Sequence, residues 1–83
     1  MNVYLLVCEK MESFEEDHVL RFVESFSTLE KAQAYAKSHS DFVLGYKADM
    51  EWMQARTGNN WRVEMGSHVY TIYEKEMDKL FDE

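Results

Sequence analysis

The chain has 83 residues and a formal net charge of −7, because 16 acidic side chains stand against nine lysines and arginines. Hydrophobic residues make up 46% of the chain and aromatic residues 14%, which excludes an intrinsically disordered protein. A chain of this length builds one core and buries roughly 60% of its unfolded surface. We expect a single small domain over residues 1–83, whose acidic C-terminal segment 74–83 is the part least defined by the sequence pattern.

The cysteine content and the apolar N-terminus indicate the compartment. Cys8 is the only cysteine, so the chain forms neither an intrachain disulfide nor a cysteine-based zinc site. The apolar run from Val3 to Cys8 is shorter than the core of a signal peptide and far shorter than a membrane span. We therefore expect a soluble cytoplasmic protein that does not contact membranes.

Two strands are predicted at the N-terminus. The segment Val3 to Cys8 is rich in β-forming residues and apolar on both alternating faces, which is typical of a strand in the middle of a sheet. After a polar loop, His18 to Phe26 alternates as a second strand. The single loop between them predicts an antiparallel hairpin.

A helix is predicted next. Ser27 and Glu30 fit a capping box. In this motif the Ser27 hydroxyl accepts a hydrogen bond from the backbone N–H of Glu30, and the Glu30 side chain accepts one from the backbone N–H of Ser27. An apolar stripe follows at helical spacing, formed by Leu29, Ala32, Tyr35 and Ala36. The pattern predicts a helix from about Thr28 to His39 that packs on the sheet, followed by a connector with some β character from Asp41 to Lys47.

The last third of the chain predicts a meander of three strands. The segment Met50 to Ala55 is compatible with strand or helix, and we favour strand. Trp61, Val63 and Met65 alternate with charged residues, Gly66-Ser67 suits a tight hairpin turn, and a further strand covers Val69 to Tyr73. Glu76 to Phe81 is compatible with a short terminal helix. The predicted fold is α+β: an antiparallel sheet of about five strands in the order ββαβββ, with one main helix on one face.

Three stretches of the chain carry a resemblance to known proteins. They are the opening Val3-Tyr4-Leu5-Leu6-Val7, the passage Phe26-Ser27-Thr28-Leu29-Glu30-Lys31-Ala32, and the ending with Trp52, Trp61 and Tyr70-Thr71-Ile72-Tyr73 at meander spacing. With these features the chain resembles small accessory proteins of bacteriophages and mobile elements, and it is similar in size and acidity to anti-CRISPR and other anti-defence proteins. The resemblance implies a small protein that binds a host protein, and it implies no catalytic residues.

The residues that could carry chemistry fall into no catalytic or metal-binding pattern. His18, His39 and His68 lack metal-ligand spacing, and we interpret them as surface or strand-end histidines. Cys8 ends an apolar strand beside Glu9, and both burial and a neighbouring carboxylate disfavour the reactive thiolate. The three glycines are too far apart for a phosphate loop. We therefore expect neither an enzyme nor a cofactor-binding or metal-binding protein.

The distribution of charge supplies the functional hypothesis. The excess of acid lies in Glu9 to Asp17 and in Glu74 to Glu83, whereas the stretch between them is neutral. We expect an inhibitor or adaptor that binds a basic surface of a host protein and not nucleic acid itself. The alternative is a self-associating structural domain that forms a homodimer. The candidate partner-binding residues are Glu9, Glu12, Glu15, Glu16, Asp17, Glu74, Glu76, Asp78, Asp82 and Glu83.

The two acidic segments form one patch only if the last strand runs parallel to the first. In that case the chain leaves the last strand at the sheet edge that holds the first loop. With an antiparallel last strand the two segments lie at opposite ends of the sheet.

Overall fold

The computed structural model describes residues 2–12, 17–56 and 58–76, apart from the side chains of Glu12, Asp17 and His18. The elements in chain order are β1 (Asn2–Glu12), β2 (Asp17–Phe26), α1 (Leu29–Leu44), β3 (Met53–Gln54), β4 (Asn60–Met65) and β5 (His68–Glu76). This arrangement confirms the predicted α+β fold with five antiparallel strands and one main helix.

The strands form a single sheet in the order β2-β1-β5-β4-β3. Strand β1 pairs antiparallel with β2 on one side and with β5 on the other, so its predicted central position is confirmed. The predicted hairpin of β1 and β2 is also present. Its register shifts between Cys8 and Glu9, which are opposite Phe22 and Leu20, so that Arg21 forms a bulge in β2.

The two faces of the sheet differ in what covers them. Helix α1 packs on the face that carries Leu6 and Cys8 of β1, which we call the helix face. The buried core on this side consists of Leu6, Cys8, Ala32, Ala36, Val63, Met65, Tyr70 and Ile72. Side chains alternate between faces along a strand, so the residues between these point to the opposite side, which we call the open face.

The start of α1 differs from the predicted capping box by one residue. The N-cap is Thr28, whose hydroxyl accepts from the backbone N–H of Lys31 at 3.1 Å. The N3 residue is then Lys31 and not Glu30, and the Ser27 hydroxyl lies 3.3 Å from Lys31 Nζ instead. The prediction of Ser27 as the cap was wrong because two adjacent hydroxyl residues can each cap, and the sequence signature does not separate them.

The helix also ends later than predicted. Residues Asp41 to Leu44 continue the helix, although Phe42, Val43 and Leu44 were assigned β character. A salt bridge of 2.7 Å between Lys37 and Asp41 supports this last part at i,i+4 spacing. Gly45 ends the helix with φ of 80°, and its N–H donates to the Asp41 carbonyl at 2.9 Å. Such a left-handed glycine is the commonest helix C-terminus, so Gly45 ends a helix and not a strand.

The rest of the chain forms the predicted meander. Within Met50 to Ala55 the strand alternative is correct, although only Met53 and Gln54 pair with β4. Gly66 takes φ of 63° in the turn between β4 and β5, as its predicted place in a tight turn requires. The predicted terminal helix began at Glu76, which instead ends β5, and its other residues lie outside the described part of the chain.

Helix α1 has 16 residues, and none of the helices within the described residues has the length and apolar character needed to cross a membrane.

Candidate functional site

A cavity of about 860 Å³ lies over the open face, on the side of the sheet formed by β5, β4 and β3. Four carboxylates line it, from Glu9, Asp49, Glu51 and Glu64, and among the described residues Arg62 is the one cation in its lining. Its volume is in the range of pockets that hold small molecules or single side chains of a partner.

Two of the four carboxylates come from the connector that leads into β3. Ala48, Met50 and Trp52 pack against the core on the helix face. Asp49 and Glu51 alternate with them and are exposed. The connector thus has the two-residue periodicity of a strand, although only its end pairs with β4, and this periodicity turns both carboxylates away from the core.

The walls of the cavity come from β4 and β5. Val63 of β4 pairs with Tyr70 of β5, and both are buried in the core beneath α1. The neighbouring side chains point the other way into the cavity, namely Arg62, Glu64, Val69, Thr71 and Tyr73. Rigid paired strands therefore fix this part of the site.

The electrostatics of the cavity are acidic. Arg62 and Glu64 lie 3.9 Å apart and both side chains are more than half exposed, so they neutralise each other only weakly. Asp49 and Glu51 form no hydrogen bond or ion pair with any residue in the described part of the chain. Glu9 is half-buried. Like charges gathered around a concave surface focus a negative potential, which attracts cations and repels phosphates.

Of the ten predicted partner-binding residues, five have a described place and only Glu9 lines the cavity. Glu12 and Asp17 pair with each other at the end of the β1–β2 hairpin. The Glu74 carboxylate accepts from Asn2 Nδ2 at 2.6 Å and from the Tyr4 hydroxyl at 3.2 Å. Burial and, after it, the hydrogen bond to Glu74 raise the pKa of the Tyr4 hydroxyl. Glu76 is exposed at the end of β5, and Glu15, Glu16, Asp78, Asp82 and Glu83 lie outside the described residues.

The direction of β5 separates the two acidic segments. Strand β5 is antiparallel to β1, and its last residue, Glu76, pairs with Asn2. Glu12, in contrast, lies at the far end of β1 beside Asp17. The described parts of the two segments therefore lie at opposite ends of the sheet, and the condition for a single acidic patch is not met.

A second cluster of polar groups lies under α1. The Nδ1 atom of His39 is 2.7 Å from the Tyr70 hydroxyl, and the His39 and His68 rings are 5.9 Å apart. Burial, with help from the Arg21 charge, lowers the pKa of both histidines. His68 is the first residue of β5, in agreement with its interpretation as a strand-end histidine, but it is buried; His39 is half-buried in α1 and is therefore neither a strand-end nor a fully exposed histidine. The His18 side chain lies outside the description.

Cys8 borders this cluster and behaves as predicted. It is fully buried, and burial raises the pKa of its thiol, with the Glu9 carboxylate contributing in the same direction. Burial likewise raises the pKa of Tyr70. Within residues 2–12, 17–56 and 58–76, no group of three or more histidine, cysteine or acidic side chains is placed to hold a metal ion.

Sequence reasoning missed Asp49, Glu51 and Glu64 because the middle of the chain is neutral when its charges are counted along the sequence. The signal that finds them is the side-chain alternation. From Ala48 to Trp52, apolar residues alternate with acidic ones, and Glu64 alternates with Val63 and Met65. Counting charges by face instead of by segment places these carboxylates together on the open face.

Comparison of the chain with protein-family models, curated proteins and solved structures gives no match in any of the three. The resemblance to phage and mobile-element proteins therefore stays a prediction.

Proposed function

We propose that this protein is a protein-binding inhibitor or adaptor whose open face takes up a basic segment of a larger partner. The observation that carries the proposal is the cavity of about 860 Å³ that four carboxylates line. Its negative potential attracts lysine and arginine side chains and disfavours nucleic acid and anionic lipid.

The cavity offers apolar groups as well as carboxylates to a basic side chain. Tyr73 contributes an aromatic ring, and Met53 contributes an apolar side chain that is 77% exposed. An arginine or lysine side chain carries a long aliphatic stem that packs on such groups while its charged end pairs with carboxylates. A partner that inserts one or two basic side chains would therefore use both kinds of lining.

The narrower form of the proposal is an anti-defence protein that acts in a bacterial cytoplasm. A protein that binds nucleic acid, such as a CRISPR effector, has a basic groove in which carboxylates can take the place of phosphates. The acidity of the chain and its resemblance to phage accessory proteins support this form. The strand directions do not favour a mimic built from the two terminal acidic segments, so the open face takes that role in our proposal.

A fluorescence-anisotropy titration with a labelled lysine- and arginine-rich peptide tests the proposal. A peptide of the same length with glutamine in place of each basic residue is the control ligand. We expect binding of the basic peptide to weaken at least about tenfold between about 0.02 M and about 0.3 M salt, because screening shortens the range of the charges. Equal binding of both peptides, or binding that is independent of salt, contradicts the proposal.

Two matched variants locate the binding charges. Asp49→Asn with Glu51→Gln removes two carboxylates from the cavity, whereas Glu24→Gln with Glu30→Gln removes two exposed carboxylates outside it. Both variants change the net charge equally. We expect the cavity variant to raise the dissociation constant of the basic peptide about fivefold, because the loss of each exposed charge weakens binding by about 0.5 kcal/mol. The control variant should leave the dissociation constant nearly unchanged. Equal losses in both variants would mean that net charge, and not the cavity, drives binding.

A further inference from the structure

The part of the open face that belongs to β1 and β2 is apolar. Its side chains, which we call the apolar patch, are Leu5, Val7, Leu20 and Val23. Leu20 is 59% exposed and Val23 is 50% exposed, and Leu5 and Val7 are half-buried. Helix α1 packs on the other face, and no further helix or strand of the described residues lies over the patch. Contiguous apolar side chains on an accessible surface are typical of a binding site.

The apolar patch continues into the wall of the acidic cavity. Leu5 is opposite Tyr73 and Val7 is opposite Thr71, and both of these β5 residues line the cavity. Beyond β5, the carboxylates of β4 and of the connector to β3 follow on the same face, and Glu9 bounds the apolar side at one end. The open face is therefore divided along its strands into an apolar side and an acidic side. A ligand that covers both sides needs an apolar surface next to a basic one.

The backbone of the open face limits the form of this ligand. Strands β1 and β5 pair with a neighbour on both sides, so the middle of the sheet offers side chains and not free backbone groups. A ligand that lies there has to satisfy its own backbone N–H and C=O groups, which an α-helix does internally. From Leu5 to Glu9, β1 spans about 14 Å at about 3.4 Å per residue. A helix that rises about 1.5 Å per residue covers this length with about nine residues.

The charge of the open face favours a partner over a second copy of this chain. Two copies stacked by their open faces would bring together two sets of the same four carboxylates, against one arginine in the described lining of each cavity. Like charges that meet at an interface disfavour the complex. A helix with lysines or arginines along one flank instead neutralises these carboxylates, and its apolar flank covers the patch.

We propose that the ligand of the open face is an amphipathic α-helix of the partner, whose apolar stripe packs on the apolar patch and whose basic flank lies over the carboxylates of the cavity. The inference rests on the proposed function and adds the secondary structure and the apolar side of the bound segment. The sheet then lies between α1 and the helix of the partner. The charges orient the helix, and the apolar contact contributes affinity that salt does not screen.

Three labelled peptides of the same length and net charge test the inference by fluorescence anisotropy. The first is amphipathic, with leucines at i, i+3, i+4 and i+7 and with lysines or arginines beside this stripe. The second contains the same residues in an order that spreads the leucines around the helix. The third is the first peptide with two central uncharged polar residues replaced by proline, which breaks the helix.

We expect the amphipathic peptide to bind at least about tenfold more tightly than the other two at about 0.15 M salt, because it alone buries its leucines on the patch. Equal affinity of the three peptides, with a salt dependence in each, overturns the inference and leaves the proposed function intact. Absence of binding by all three peptides overturns the proposed function and the inference with it.

A pair of protein variants locates the apolar contact. Leu20→Thr with Val23→Thr removes two exposed apolar side chains from the patch, whereas Phe42→Gln with Val43→Gln removes two exposed ones from α1. Neither variant alters a buried residue. We expect the patch variant to raise the dissociation constant of the amphipathic peptide at least about fivefold, and the α1 variant to leave it nearly unchanged. A patch variant that binds like wild type, or equal losses in both variants, overturns the inference.

Sedimentation equilibrium of the free protein tests whether a second copy covers the patch instead. We expect the wild-type protein and the patch variant to have the same association state at every concentration. A wild-type dimer that dissociates in the patch variant and not in the α1 variant would show that the patch binds another copy, and it would overturn the inference.

Discussion

The hydroxyl group of Tyr70 lies 2.7 Å from Nδ1 of His39 and joins helix α1 to the middle of the sheet. Tyr70 is fully buried on β5, and burial raises the pKa of its hydroxyl, so this group stays protonated and can donate to the unprotonated Nδ1. The bond lets a polar pair lie inside the core without an unsatisfied donor. It also fixes the position of α1 over β5, whose opposite face forms a wall of the acidic cavity.

Loss of this hydrogen bond should reduce stability. We expect Tyr70→Phe to lower the free energy of unfolding by about 1 kcal/mol, because the substitution removes the partner of His39 Nδ1 inside the core. Tyr73→Phe is the matched control, since Tyr73 is half-buried in the cavity and makes no hydrogen bond with the described residues. Urea denaturation followed by circular dichroism measures both. An equal loss of stability in the two variants would contradict the role of the bond.

The two histidines under α1 should make the fold sensitive to mild acid. Their pKa values are lowered in the folded protein, mainly by burial; the charge of Arg21 adds to this effect at His39, and the charge of His39 adds to it at His68. The unfolded chain therefore binds protons first as the pH falls below about 6.5, the ordinary histidine value. Stability is fully present above that pH and decreases below it, towards the lowered folded pKa values.

Urea titrations at several pH values between about 7 and about 5 check this expectation. Replacement of His68 by asparagine should reduce the slope of unfolding free energy against pH in this window. The lowered pKa of Asp41, caused first by its bond to Lys37, acts only below the ordinary aspartate range and does not interfere. A wild-type stability that is constant or increases as the pH falls through the window would show that the pair is not held neutral.

The N-cap of α1 can be assigned by two single substitutions. We expect Thr28→Ala to lower the free energy of unfolding by about 1 kcal/mol, because the backbone N–H of Lys31 then loses its acceptor. Ser27→Ala should change it by less than about 0.5 kcal/mol, since Ser27 is exposed and its hydroxyl is paired, within the described part of the chain, with the exposed Lys31 side chain. Thermal or urea unfolding distinguishes them. The reverse order would restore the capping box centred on Ser27.

The C-terminus of α1 depends on the left-handed conformation of Gly45. No heavy atom lies within 4 Å of the place where a Cβ atom would stand, so alanine meets no steric conflict with its surroundings. The cost of Gly45→Ala is then the backbone strain alone, about 1 kcal/mol in the free energy of unfolding. Gly45→Asn should cost less, because asparagine tolerates this conformation better. Equal stability of wild type and Gly45→Ala would indicate a different helix end.

The sequence predicts the sheet well because its strands alternate clearly. The apolar run from Val3 to Cys8 indicated the central strand, and the alternation of Trp61, Val63 and Met65 indicated β4. The end of the helix could not be predicted in the same way. Phe42 and Val43 are β-forming residues, yet they lie on exposed sides of α1, where the Lys37–Asp41 bridge and Gly45 outweigh their local preference.

The acidic site could be predicted only in part, because a count along the sequence hides how strands bring charges together. Glu9 was among the predicted residues, whereas Asp49 and Glu51 fell in a stretch that is neutral overall. The antiparallel pairing of β1 with β5 could not be predicted from the sequence either, because the relative direction of two strands depends on which strands are neighbours in the sheet. That direction decides whether the N-terminal and C-terminal acidic segments meet.

A nuclear magnetic resonance titration of the labelled protein with the lysine- and arginine-rich peptide tests the central claim most directly, because it locates the binding surface residue by residue. We predict that the amide signals that shift most belong to the cavity wall, at Arg62, Glu64, Thr71 and Tyr73, and that those of α1 change little. Shifts concentrated on α1, or at both ends of the sheet with none around the cavity, would contradict the claim that the open face binds basic partners.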